Sequence, residues 1–309
     1  MQSIKSLDLR RQQLERVPEH IRNESQLETL DLDMNQLATL PHWLGELVQL
    51  RSLSLYHNRL AAVPETMWSL DRLQTLNLAD NQFTSIPEGL GRLAQLQMLD
   101  LGHNALQSLP RSMGSLQQLK FLYLSDNQLS ALPDSFKNLS ALLYLGLTGC
   151  RFITLPDLLG DCSALLELRL YHNQLVELPD TLCRLSRLKE LHVMDNHLAS
   201  LPRDLGQLDS LQKLMLQNNQ LTALPVSIGR LARLTDLDLR NNHLTSLPES
   251  IAQLQRLRFL DLRANALRDL PAGLADLPAL EKLDLRWNKQ LVLPAWVDHL
   301  AQKGCLVYV

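Results

Sequence analysis

Leu234-Thr235-Asp236-Leu237-Asp238-Leu239-Arg240-Asn241-Asn242, followed by Leu244, Leu247-Pro248, Ile251 and Leu254, is a unit written thirteen times along this chain. Steps of 23 residues from Asn242 reach Asn35, Asn58, Asn81, Asn104, Asn127, Asn173, Asn196, Asn219, Asn265 and Asn288. Gln12 and Cys150 stand at the two remaining positions, and no insertion breaks the register. A length of 309 residues would ordinarily suggest two compact domains. An unbroken period predicts instead a single domain over 1–309, built from thirteen stacked repeats.

In the quoted unit Leu237 and Leu239 are two residues apart and share one face of an extended segment, while Asp236, Asp238 and Arg240 point the other way. This alternation predicts a short strand. Two inward leucines cannot form a core alone, so each strand must lie parallel to the next, and the return leg must add Leu244, Leu247, Ile251 and Leu254. The asparagine falls where the chain turns inward off the strand. There an amide side chain can donate to and accept from backbone groups that lose their ladder partners. A proline recurs in every repeat from Pro18 to Pro294. Its fixed φ and missing N–H suit a return leg outside any sheet, with room after it for one helical or 3₁₀ turn.

The pattern L-x-x-L-x-L-x-x-N-x-L resembles the leucine-rich repeat family, in its 23-residue type with Leu-Pro in the return leg. The resemblance implies an α/β leucine-rich repeat solenoid: a right-handed β-α superhelix with a curved parallel sheet on the concave face and short helical or 3₁₀ turns on the convex face. Proteins of that look include Ras-pathway scaffolds, their plant counterparts and bacterial effectors delivered into host cells. The function it implies is protein binding by a non-catalytic module, as adaptor, scaffold or effector-type recognition domain. The alternative is the recognition half of an enzyme, a ubiquitin ligase or kinase, whose catalytic domain is elsewhere.

The two ends depart from the repeat. Glu24 stands where later repeats have leucine, and Arg22-Asn23-Glu24-Ser25-Gln26 makes the first repeat polar, as an exposed end requires. Trp296, Val297 and Leu300 predict a short helix stopped by Gly304, and Cys305 to Val309 a last strand that caps the stack. Met1-Gln2-Ser3-Ile4 runs directly into the first repeat, with no charged-then-apolar leader, and no apolar run is long enough to span a bilayer. Cys150, Cys162, Cys183 and Cys305 do not form the paired terminal caps of extracellular relatives, and Cys150 and Cys162, in core or turn positions, read as small hydrophobes. The expectation is a cytoplasmic protein, or one translocated into a host cell if it is a bacterial effector. A net charge of −3 with mixed signs argues against nucleic acid. The expected partner is a protein, with no membrane, cofactor or metal, and the chain is expected to be a monomer.

The outward strand positions differ from repeat to repeat, and these differences carry the functional reading. Phe121, Tyr123, Tyr144, Tyr171, Met194 and Met215 are aromatic or methionine where other repeats are polar. Gly146, Thr148 and Gly149 are small where neighbouring repeats carry Tyr123, Arg169, Tyr171 and His172, which predicts a dip into which a partner side chain could fit. Aromatics and methionines on a rigid face are the material of interface hot spots. The partner-binding residues are therefore Phe121, Tyr123, Tyr144, Gly146, Arg169, Tyr171, His192, Met194 and Met215. Toward the C-terminus, Asp238, Asp261 and Asp284 stand beside Arg240, Arg263 and Arg286 as two opposed columns expected to satisfy each other, the alternative being that they steer a charged partner.

Catalysis is not expected. His103 and His172 neighbour Asp126 and Asp195 in the column before the asparagine, and a triad with Ser125 can be drawn, but no oxyanion donors accompany it. Neither C-x-x-C nor H-E-x-x-H occurs, so no metal-ligand spacing is present.

Overall fold

A computed structural model describes residues 4–309. Met1, Gln2 and Ser3, read above as leading straight into the first repeat, lie outside the described residues. By compactness the chain divides into an N-terminal unit, Met1–Arg151, and a C-terminal unit, Phe152–Val309. In the N-terminal unit seven strands pair in parallel in chain order: β1 (Ser6–Asp8), β2 (Thr29–Asp31), β3 (Ser52–Ser54), β4 (Thr75–Asn77), β5 (Met98–Asp100), β6 (Phe121–Tyr123) and β7 (Tyr144–Gly146). The C-terminal unit does the same with β8 (Glu167–Arg169), β9 (Glu190–His192), β10 (Lys213–Met215), β11 (Asp236–Asp238), β12 (Phe259–Asp261), β13 (Lys282–Asp284) and β14 (Leu306–Tyr308). The register is leucine to leucine, as in Leu53 beside Leu76 and Leu237 beside Leu260. Side chains one repeat apart thus stand side by side.

The inward leucines are the core. Leu237 is 1% exposed and Leu239 wholly buried, and each such leucine stabilises the fold by about 1.5–3 kcal/mol relative to an exposed one. β1 is more exposed, as the polar first repeat predicts. Each of the first twelve repeat prolines leads into a 3₁₀ turn. Pro248 is extended at φ −69° and ψ 144°, and its carbonyl accepts the Ile251 N–H at 3.0 Å. A Cβ on Gly45 would lie 2.2 Å from the Thr66 carbonyl oxygen, so glycine lets two successive turns approach closely. At the far end the helix α1 (Trp296–Gln302) is followed by Gly304 at φ +92°, and β14 pairs with β13, as expected from sequence.

The repeat asparagine does what its position requires. The Asn242 amide donates to the carbonyls of Leu216 and Leu239, both at 3.0 Å, and its side-chain oxygen accepts the Leu221 N–H at 3.0 Å. One side chain thereby joins its own turn to the preceding repeat. At Cys150 a thiol replaces it, 3.5 Å from the Leu124 oxygen and 3.8 Å from that of Thr148, beside the backbone N–H groups of Asn127 and Leu129. Sulfur is a weak donor and a weak acceptor. Cys150→Asn is therefore expected to stabilise the N-terminal unit by about 1–2 kcal/mol. Urea melts of the two chains check this, and a lower midpoint in the variant would mean that the turn is rebuilt around sulfur.

Candidate functional site

In each unit the first and third residues of every strand point away from the core and form the strand face. Four predicted contact residues lie in the N-terminal unit. Phe121 on β6 is 39% exposed. The rings of Tyr123 and Tyr144 stand 4.7 Å apart, tilted by 35°. β6 and β7 place Tyr123 opposite Gly146. A Cβ on Gly146 would lie 3.1 Å from the Tyr144 hydroxyl, and one on Gly149 would run into the Asp126 carboxylate. The dip expected around these small residues is therefore filled. Close packing draws the Tyr144 ring and the Asp126 side chain into the volume that the missing side chains leave.

The other five lie in the C-terminal unit. Arg169 and His192 belong to an ion-pair knot: Arg169 Nε is 2.6 Å from Glu167, and His192 Nε2 and Lys213 Nζ are each 3.0 Å from Glu190. Burial works to raise the Glu190 carboxyl, but hydrogen bonds and charge from Lys213 and His192 outweigh it and hold the group below its usual range. Ligand-type atoms of Glu167, Glu190 and His192 lie within 4.8 Å of one another, the set among the described residues closest to a metal centre. Both of its carboxylates already have a cation. Tyr171 stands edge-on to His172 at 5.4 Å, and Met194 and Met215 are half-buried.

The column before the asparagine has a backbone explanation. Every residue in it, from Arg11 to Trp287, has positive φ, including His57 at 53°, Asp80 at 54°, His103 at 52°, Asp126 at 54° and Gly149 at 64°. Asn, Asp, His and Gly tolerate this left-handed region best, and they fill most of the column. His57 pairs with Asp80, His103 Nδ1 with Asp126 at 3.4 Å, and His172 with Asp195 at 3.6 Å. These exposed pairs follow from the conformation of the turn. The four cysteines are buried and free; burial pushes the thiols of Cys150 and Cys183 to about 11 and that of Cys162 to about 12, which keeps them protonated and inert.

The acid and arginine columns pair mainly within each repeat, and unequally. Arg263 grips Asp261 through two nitrogens at 2.6–3.0 Å and reaches Asp284 at 3.4 Å, while Arg286 holds Asp284 at 2.7 Å. Arg240 Nε stays 3.5 Å from Asp238. Burial raises the Asp238 carboxyl. Burial also acts on Asp284, but hydrogen bonds from Arg286 and the charges of Arg263 and Arg286 lower it overall. Beside Asp238 a cavity of about 200 Å³ opens on the strand face, with Met215, Phe259 and Lys282 in its walls. Of these the sequence had singled out Met215 alone. Phe259 was legible as an aromatic in its column, but not the space beside it.

Opposite shifts give opposite mutational signs. The depressed Asp284 carboxyl contributes stability that is complete above the unfolded-state pKa and is lost as pH falls through the folded value. The raised Asp238 carboxyl costs stability as pH rises from the unfolded value through the folded one. At pH 7, Asp284→Asn is expected to lower stability by roughly 1–3 kcal/mol, and Asp238→Asn to leave it unchanged or raise it. Thermal melts at pH 7 and pH 3 check both, and the Asp284 deficit should shrink at the lower pH.

Similarity to known proteins follows the geometry. A profile described as leucine rich repeat matches residues 2–60, 49–106, 71–129 and 104–152, and a leucine-rich repeat region profile matches 205–302. No curated protein matches the chain. A leucine-rich repeat protein of Leptospira interrogans is 36% identical at a TM-score of 0.89, over 94% of this chain and 74% of that one. The ectodomain of the Arabidopsis thaliana receptor kinase GASSHO1/SCHENGEN3, solved with Casparian strip integrity factor 2, is 33% identical at 0.74, over 94% of this chain and 39% of that one. A plant peptide hormone receptor solved with RGF2 is 30% identical at 0.73, over 92% of this chain and 51% of that one. Repeat period, asparagine bonding, strand register and these likenesses agree: the chain belongs to the leucine-rich repeat family.

Proposed function

We propose that this chain is a non-catalytic interaction module that binds a protein partner on its strand face, as an adaptor, scaffold or effector-type recognition domain. The observation that carries the reading is the outward set of half-buried or exposed aromatics and methionines on short, register-locked strands: Phe121, Tyr123 and Tyr144 in one unit, Tyr171, Met194 and Met215 in the other. Side chains already held by their neighbours lose little rotamer freedom when covered, so most of the contact energy is kept. The plant receptors solved with RGF2 and with Casparian strip integrity factor 2 support the same use of the fold. Among the described residues no helix is long and apolar enough to cross a membrane. The buried free thiols support a reducing compartment such as the cytoplasm.

Affinity capture from lysate with the parent chain, beside Tyr123→Ala and Tyr171→Ala, tests the proposal. Each substitution is expected to weaken binding of the captured partner by about 1–2 kcal/mol, with the melting temperature nearly unchanged. Gly146→Arg should also reduce capture, because the Tyr144 ring must leave its place to admit the new side chain. If all three bind as the parent does, these outward positions are not the contact.

A further inference from the structure

We propose that the groove across β10 to β13 is a docking pocket for one basic side chain, lysine or arginine, of a protein partner; this rests on the interaction reading above and adds the partner's chemistry. The groove is apolar at its base. Leu237 and Leu260, each 1% exposed, lie beneath it, and Met215 and Phe259 stand as walls. Its volume of about 200 Å³ holds one long side chain, below the roughly 300–1,000 Å³ of pockets for whole small molecules.

Charge decides the occupant. The Asp236 carboxylate accepts the Thr235 hydroxyl at 2.6 Å and has no ion-pair partner within 4 Å among the described residues. Asp238 has Arg240 at 3.5 Å. The surrounding cations make their closest contacts elsewhere, although Lys282 lines the groove and the charges of Lys213 and Arg258 reach Asp236 through space. Lys213 is 3.0 Å from Glu190, Arg258 is 2.7 Å from Glu281 while covering the Phe259 ring at 5.1 Å, and Arg263 holds Asp261 at 2.6 Å. Lys282 lies 5.5 Å from the Tyr308 ring. Two weakly neutralised carboxylates therefore flank an apolar slot. A long basic side chain complements both parts at once, its methylenes against Met215 and Phe259 and its charged head between Asp236 and Asp238. An anionic or wholly apolar side chain leaves those carboxylates repelled or desolvated without a partner. Burial raises the Asp238 carboxyl, consistent with a charge that gains from an added cation.

The test titrates acetyl-Gly-Arg-Gly-amide, and its lysine counterpart, into the full chain carrying ¹³C-methyl methionine. The Met215 methyl resonance is expected to shift and saturate. The citrulline peptide, equal in shape and neutral, should bind at least about tenfold more weakly, a loss of one charge-assisted contact. Asp236→Asn combined with Asp238→Asn should abolish the response, with an unchanged methionine spectrum showing that the variant is folded. The proposal is overturned if Met215 does not respond, if citrulline matches arginine, or if the double variant still responds. Tyr123→Ala should keep the arginine response. A failed pocket thus leaves lysate capture intact, whereas failure of the interaction reading appears in capture whatever the peptide does.

Discussion

A polypeptide that turns off a strand every 23 residues must satisfy, at each turn, backbone groups that have left the ladder and lie away from water. One asparagine amide per repeat meets that demand. Asn242 serves carbonyls from two successive turns and accepts an N–H from the earlier one, and Asn58 and Asn127 do the same with other neighbours. Leucine burial supplies most of the stabilisation, but it is non-directional. The asparagine bonds specify which backbone groups meet, and hence the one-repeat register that brings outward side chains into columns.

The same turn constrains the residue just before the asparagine to positive φ, and this changes how polar residues at the strand edge are to be understood. A histidine beside an aspartate ordinarily prompts a catalytic reading. Here His103 and Asp126 share an edge because both occupy a left-handed position where short polar side chains are tolerated. Arg11, Met34, Ala264 and Trp287 depart from this preference, and Trp287 is the bulkiest: a large aromatic at φ +66°, 67% exposed, with Arg286 5.8 Å from its ring.

On the strand face, compensation of charge varies from strand to strand although the residue types repeat. Asp261 and Asp284 are gripped by the arginines two residues further along their own repeats, and Arg263 bridges the two. Asp238 is held at a longer distance, next to Asp236. Binding surfaces draw on such differences, since a neutralised pair must be broken or desolvated before it helps a partner, whereas an under-compensated carboxylate gains directly from a new cation.

Strand positions, the parallel order, the 3₁₀ turns after the first twelve repeat prolines, the role of Asn242 and its relatives, and the helix-strand ending at Trp296 and Leu306 were all legible in the amino-acid sequence. Each follows from a local period or from one residue's hydrogen-bonding capacity, repeated often enough to leave no ambiguity. The outward columns were legible for the same reason: alternation along a strand sets which side chains share a face. Where those side chains go was decided by tertiary structure. Gly146 and Gly149 read as an opening, yet Tyr144 and Asp126 occupy it, because a close-packed surface lets long side chains move into vacated volume. Asp238, Asp261 and Asp284 read as equivalent, yet differ in pairing because the reach of each arginine depends on rotamers and on the neighbouring strand. The groove beside Phe259 exists only once Leu237, Leu260, Met215, Asp238 and Lys282 are assembled across four strands, and no single repeat contains it.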